Sequence, residues 1–137
     1  MPKPDPIAVV LAFEKKVNAG DADGIVALMA EDGMLIDSMG AKITGQANLR
    51  RAWTEYFRMV PDYRISHTEV LQSGTTVVLM GEARGTFTND GLLHRENGWS
   101  TPAAWRAVVE KGRIRVWQIF ADNEPIRQMM RKLAPPS

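Results

Sequence analysis

Cysteine is absent from all 137 residues, which excludes disulfides, thiolate zinc sites and cysteine nucleophiles together. Histidine is nearly absent as well. His67 and His94 are the whole complement, 27 positions apart, and neither is followed by a second ligand three or four residues later, so no metal is expected. No charge of one sign dominates: Lys and Arg total 17 against 16 Asp and Glu, a net charge of +1. The electrostatic footprint of a nucleic-acid binder is therefore missing, and nucleic acid is not an expected partner. Long apolar runs are missing too. The longest, IAVVLAF at residues 7–13, is far short of the roughly 20 residues of a membrane span. With MPKPDP before it and EKK after it, that run also lacks the basic start and small-residue cleavage site of a secretory signal. An intracellular, cytoplasmic protein with no membrane partner is expected. No G-x-G-x-x-G or Walker sequence supplies a phosphate-cradling loop. DADG at residues 21–24 starts like a calcium loop, but the later ligands of that pattern are missing, so helix capping is the better reading.

What is present suits one core. Apolar residues make up 45% of the chain, enough for a single domain over residues 1–137, with residues 134–137 frayed. Asp5 followed by Pro6 reads as a helix N-cap and first helical position, Gly20 as a stop, and Val10, Phe13 and Val17 as the buried stripe between them. A second short helix is expected after Asp21, with Ile25, Leu28 and Met29 on one face. GMLIDSMGAKITG, residues 33–45, reads as a strand, a turn at Met39-Gly40 and a brief return strand. Leu49, Trp53, Tyr56, Phe57 and Val60 then recur with helical spacing until Pro61. From Asp62 the period falls to two. Residues 63–72, 75–87, 92–109 and 113–123 read as four strands separated by Ser73-Gly74, Asn89-Asp90-Gly91 and Lys111-Gly112. Ile126, Met129, Met130 and Leu133 return to helical spacing, with Asp122 and Asn123 as the cap. Helices first and strands afterwards predict an α+β fold: helices packed against a strongly curved antiparallel sheet that encloses a cone-shaped pocket.

VNAGDADGIVALMAEDGMLID, residues 17–37, resembles the ketosteroid isomerases, which belong to one superfamily with nuclear transport factor 2 and the SnoaL-like polyketide cyclases. The likeness is closest from Val17 to Phe57. STPAA (residues 100–104) and GRIRVWQIFADNEPI (residues 112–126) have counterparts in strand order and spacing, and the ending FADNEPIRQMM is similar to SnoaL-like proteins. The resemblance implies the cone-shaped fold of nuclear transport factor 2 and puts Asp37 at the isomerases' general base. Those enzymes also use a tyrosine and a protonated aspartate to donate hydrogen bonds to the enolate oxygen. The matching positions hold Phe13 and Ala104, neither of which has a proton to give. One such donor is worth about 2.7 to 4 kcal/mol, so losing both slows the reaction by roughly ten-thousandfold or more. The steroid reaction itself is not expected. The limonene epoxide hydrolases, another branch, activate water with an aspartate two residues after a tryptophan of the last strand and support it with an R-x-D pair. Here the tryptophan is Trp117, the later position is Ile119, and the pair reads Glu82 and Arg84, so epoxide hydrolysis is not expected either.

Strand alternation then assigns faces. With Trp117 and Ile119 inward, as both branches imply, Met80, Glu82, Arg84 and Ala104 fall on the same inner face. Asp37 would meet Glu82 and Arg84 in a pocket walled by Phe13, Trp53, Tyr56, Phe57 and Trp117. Such a site suits a small apolar organic molecule, with Asp37 as proton carrier and Arg84 stabilising the oxyanion. The reaction implied is isomerisation, cyclisation or dehydration of a carbonyl compound without a cofactor. Other readings stay open: Glu82 and Arg84 only pair with each other, Asp37 only accepts hydrogen bonds from the turn after it, the pocket binds without reacting, or the outer surface serves as an interaction module. Ser66, His67 and Glu69 form no nucleophile and base, since strand neighbours point to opposite faces. An inward Ala104 turns Trp105 outward, where an aromatic needs cover. Members of the superfamily commonly dimerise through that sheet, so a homodimer is implied.

Overall fold

Helix α1, Pro6–Asn18, starts where the sequence places it: the Asp5 carboxylate accepts the Ile7 N–H at 3.1 Å, and Pro6 sits where no N–H is needed. The computed structural model describes residues 5–133, so the tail expected to fray lies outside the described residues. Val9, Val10, Phe13 and Val17 form the buried face of α1. Asp21 caps α2, Ala22–Ala27, by accepting the Gly24 N–H at 2.9 Å. Helix α3, Gln46–Met59, buries Leu49 and Trp53. These three helices pack over one face of a sheet, and the core fills the space between.

The sheet contains β1 (Met29–Ile36), β2 (Lys42–Thr44), β3 (Arg64–Ser73), β4 (Thr76–Thr86), β5 (Gly98–Glu110) and β6 (Arg113–Ala121), in the order β2-β1-β6-β5-β4-β3. It is mixed rather than purely antiparallel. Strand β1 runs parallel to β6, with Leu35 opposite Trp117, while the other pairs are antiparallel. Helix α2 stops at Ala27, and Met29 already opens β1, earlier than expected. The expectation missed it because the pairing with β6 jumps from Met29 to Met34, leaving the exposed Glu31 and Asp32 in an irregular stretch that breaks the alternation.

Strand β5 starts at Gly98, not at Leu92. The connection before it is held by side chains: Thr88 Oγ1 accepts from the Asp90 and Gly91 N–H groups, and Asp90 accepts from Leu92 N–H at 2.9 Å. With its backbone satisfied locally, this segment needs no strand partner, and Leu92 and Leu93 stay exposed. His94 Nε2 lies 2.8 Å from Asp90. Beside His94, and with the Leu92 N–H and the Thr88 hydroxyl as further donors, the Asp90 carboxyl is held down at about 2, while the same contact raises His94.

Strand β3 is an edge whose start is covered by α1. The Asn18 side-chain amide donates to the Ile65 carbonyl at 2.9 Å and accepts the Ile65 N–H at 2.8 Å, acting as one more rung of the ladder. Beside it, His67 Nδ1 lies 2.7 Å from Glu14. Between His67, which faces Gly81, and Glu69, which faces Met80, the residue Thr68 is left over as a bulge. The last helix, α4 (Glu124–Leu133), begins with Asp122 accepting the Glu124 N–H at 2.9 Å. It buries no residue fully, and Ile126 packs against the core. Among the described residues no helix is long and apolar enough to cross a membrane.

Candidate functional site

Cross-strand partners share a face, so the ladder decides what the cone contains. Leu79 stands opposite Trp105, Trp105 opposite Ile119, and Ala107 opposite Trp117. These five positions, with Ala83, Ala103 and Thr101, form the inner surface. Trp117 and Ile119 thus face inward. Met80, Glu82, Arg84 and Ala104 do not: they lie on the outer face, and Trp105 is the inward residue, 1% exposed. The expected faces of β4 and β5 are corrected by one residue. The pairing shows why the earlier assignment was inconsistent: Ala104 is opposite Phe120, so it cannot share a face with Ile119.

Asp37 directly follows β1. Alternation from the inward Leu35 puts it on the inner side, at the end of the strand. Its Oδ1 accepts the Met39 and Ala41 N–H groups, both at 2.9 Å, and its own N–H donates to the Ala41 carbonyl at 3.0 Å. This carboxylate closes the turn between β1 and β2. The structure does not bring it to Glu82 and Arg84, which occupy the other face, and neither of those two makes an ion pair among the described residues.

The aromatic wall does come together. Phe13 packs on Trp117 with ring centroids 4.4 Å apart and meets Trp53 edge-on at 6.4 Å, and Trp53 stacks on Phe57 at 5.5 Å. Phe13 and Trp117 are fully buried, so the narrow end of the cone is filled. Tyr56 and Phe57 are half-buried at its side. Tyr56 also meets Tyr63 edge-on at 4.9 Å, and Tyr63 approaches Trp99 at 6.2 Å.

Four interior residues were not singled out as site residues: Tyr63, Trp99, Thr101 and Trp105. Tyr63 carried no helical or family signal, Thr101 sat in the matched STPAA segment with no role attached to it, and the face of Trp99 and Trp105 depends on the register. Burial pushes both phenols up, Tyr56 further through Tyr63, whereas the Trp105 indole offsets part of the rise at Tyr63. Both phenols are therefore neutral O–H groups at neutral pH. Trp53 Nε1 is buried with no hydrogen-bond partner, and the Thr101 hydroxyl has only the Pro102 carbonyl, at 3.5 Å. The interior thus offers under-used donors on apolar walls, a surface that can bind and orient an acceptor oxygen. Two clefts open elsewhere. One of about 550 Å³ lies along the outer face beside Arg84, and one of about 600 Å³ lies between Glu31 and Lys111. Among the described residues no three His, Asp or Glu side chains gather as a metal site requires.

The SnoaL-like domain matches residues 10–117. The chain belongs to that family. No curated protein matches the sequence. Among solved structures, a protein with a ketosteroid isomerase-like fold from Catenulispora acidiphila, in complex with trimethylamine, shares 16% identity over 93% of both chains at a TM-score of 0.76. A protein named as a SnoaL-like polyketide cyclase from Shewanella denitrificans shares 12% over 95% of this chain and 99% of its own, at 0.79. TerC, co-crystallised with polyporic acid, shares 15% over 92% and 98%, at 0.75. At these identities the likeness shows the fold, an α+β cone, and not the activity.

Proposed function

We propose that this SnoaL-like chain binds a small, largely apolar organic molecule carrying an acceptor oxygen, with the Trp53 indole N–H as the donor that orients it. The observation that carries this reading is the Trp53 Nε1 itself, buried in an aromatic wall with no partner. A buried unsatisfied donor costs about 1–3 kcal/mol, and a ligand oxygen offsets that cost. Half-buried Tyr56 and Phe57 are the groups a ligand displaces on entering. Similar structures that hold trimethylamine and polyporic acid support a small-molecule role. Binding without turnover fits the geometry better than acid–base chemistry, because Asp37 Oδ1 is committed to its turn and Arg84 lies outside the cone.

Calorimetric titration with aromatic polyketides, steroids, terpenoids and simple enones tests this. Trp53→Phe should weaken the best ligand about tenfold, the equivalent of roughly 1.4 kcal/mol, with little change in the unliganded melting temperature. The reading fails if no compound saturates or if Trp53→Phe binds as well as wild type. Asp37→Asn keeps an acceptor for the Met39 and Ala41 N–H groups and so folds. If a ligand is turned over by wild type and not by Asp37→Asn, the chain is an enzyme with Asp37 as proton carrier.

A homodimer through the outer sheet face belongs to the same proposal. Leu71, Met80 and Phe120 are exposed there, with Ala104 between Met80 and Phe120 in one cross-strand row. That is an apolar patch on a face no helix covers. Phe120→Asp should convert a dimer to a monomer in sedimentation, whereas a wild-type monomer at all concentrations would remove the dimer.

A further inference from the structure

We propose that the outer-face cleft beside Arg84 is a second binding site, distinct from the cone, that takes a small organic monocarboxylate. Arg64 and Arg84 stand directly opposite each other in the antiparallel ladder, both on the outer face. Like charges in that position repel. Among the described residues neither of them, nor Arg95 in the cleft wall, makes an ion pair, although Arg50, Arg115 and Arg131 each find a carboxylate. Arg84 and Arg95 thus line one recess without an ion-pair partner, with Arg64 across the ladder from Arg84, and an oxyanion is the partner they lack.

The acids in the cleft do not fill that role. Both oxygens of Asp62 are taken by Thr86, one by its N–H at 2.7 Å and one by its hydroxyl at 2.8 Å. Glu82 lies two residues from Arg84 on the same face without reaching it. Its charge repels a second negative group, which selects a monoanion over a phosphate ester. The rest of the wall comes from Gly85, Thr86 and the start of β5, Gly98 to Ser100, while the Trp99 ring itself turns inward toward Tyr63. The volume of about 550 Å³ is ample for a ring and a carboxylate. Arg84 and Arg95 bind the carboxylate, and the rest of the ligand lies along the start of β5, Gly98 to Ser100.

Isothermal titration at low ionic strength with benzoate, and with inorganic phosphate for comparison, tests the site on wild type and on Arg84→Gln, Arg95→Gln, Arg106→Gln and Trp53→Phe. Benzoate should saturate one site per chain, weaken tenfold or more in Arg84→Gln and in Arg95→Gln, and be unchanged in Arg106→Gln, whose side chain reaches Gln118 instead. Binding preserved in Trp53→Phe separates this cleft from the cone. No saturable binding, or benzoate affinity equal in wild type and both cleft variants, overturns the proposal. So does phosphate binding as tightly as benzoate, or benzoate binding lost only in Trp53→Phe, which would place it in the cone.

Discussion

Gly81→Ala should destabilise the fold by about 3 kcal/mol or more, at or above the upper end of what overpacking usually costs. A Cβ at this position would lie 1.9 Å from the Ser66 carbonyl oxygen and 2.7 Å from the His67 Cα. Both are backbone atoms. A crowded side chain can rotate away, but these belong to the bulge that puts two residues of β3 against one of β4. Relief therefore requires the edge strand to move as a unit. The same segment carries the Asn18 bracket on Ile65 and the His67 contact with Glu14, so moving it also loosens α1. For a chain of this size the loss corresponds to a fall in melting temperature on the order of 10 °C, readable by circular dichroism. A melting temperature within a degree of wild type would mean that β3 does not approach Gly81 this closely.

Local chemistry made the helices legible. Asp5 with Pro6, Asp21, and the stripe from Leu49 to Val60 each write a helix boundary or a buried face into a few neighbouring residues. The turn carrying Asp37 was legible in the same way, and its two accepted N–H groups confirm the turn reading that the sequence left open. The inward faces of Trp117 and Ile119 followed from the family resemblance. What was not legible is register. In β5 the pair Ala103-Ala104 fits either face, and in β4 the run LMGEAR alternates small, apolar and charged residues without a clean period. Only the long-range pairing of Met80 with Ala104 and of Ala104 with Phe120 settles which set points out. Leu92-Leu93 misled for a different reason. An apolar pair after Asn89-Asp90-Gly91 reads as the return of a hairpin, but side chains of Thr88 and Asp90 satisfy that backbone before a strand can. The parallel pairing of β1 with β6 joins segments about eighty residues apart, and no local pattern announces it.

Phe13→Ala should cost about 3–5 kcal/mol, the range for removing a buried phenyl ring, out of a total stability of roughly 5–15 kcal/mol for a natural domain. Phe13 has no exposed surface and touches the two indoles that dominate the narrow end of the cone. Trp117 is carried by β6 and Trp53 by α3, so the lost ring is also the contact through which α1 braces both. Collapse around the void is limited because the surrounding groups are rigid rings on separate elements, which puts the cost toward the upper end of the range. The void is apolar except for Trp53 Nε1, and a dry apolar cavity of this kind takes up small aromatic molecules. The variant should therefore be rescued in part by a small aromatic ligand with an acceptor oxygen, such as phenol, and less by benzene, since only phenol can accept the indole N–H. Urea titrations with and without each compound read this directly. Equal rescue by both would show that the Trp53 donor plays no part in selecting what the cone holds, leaving apolar burial alone to account for binding there.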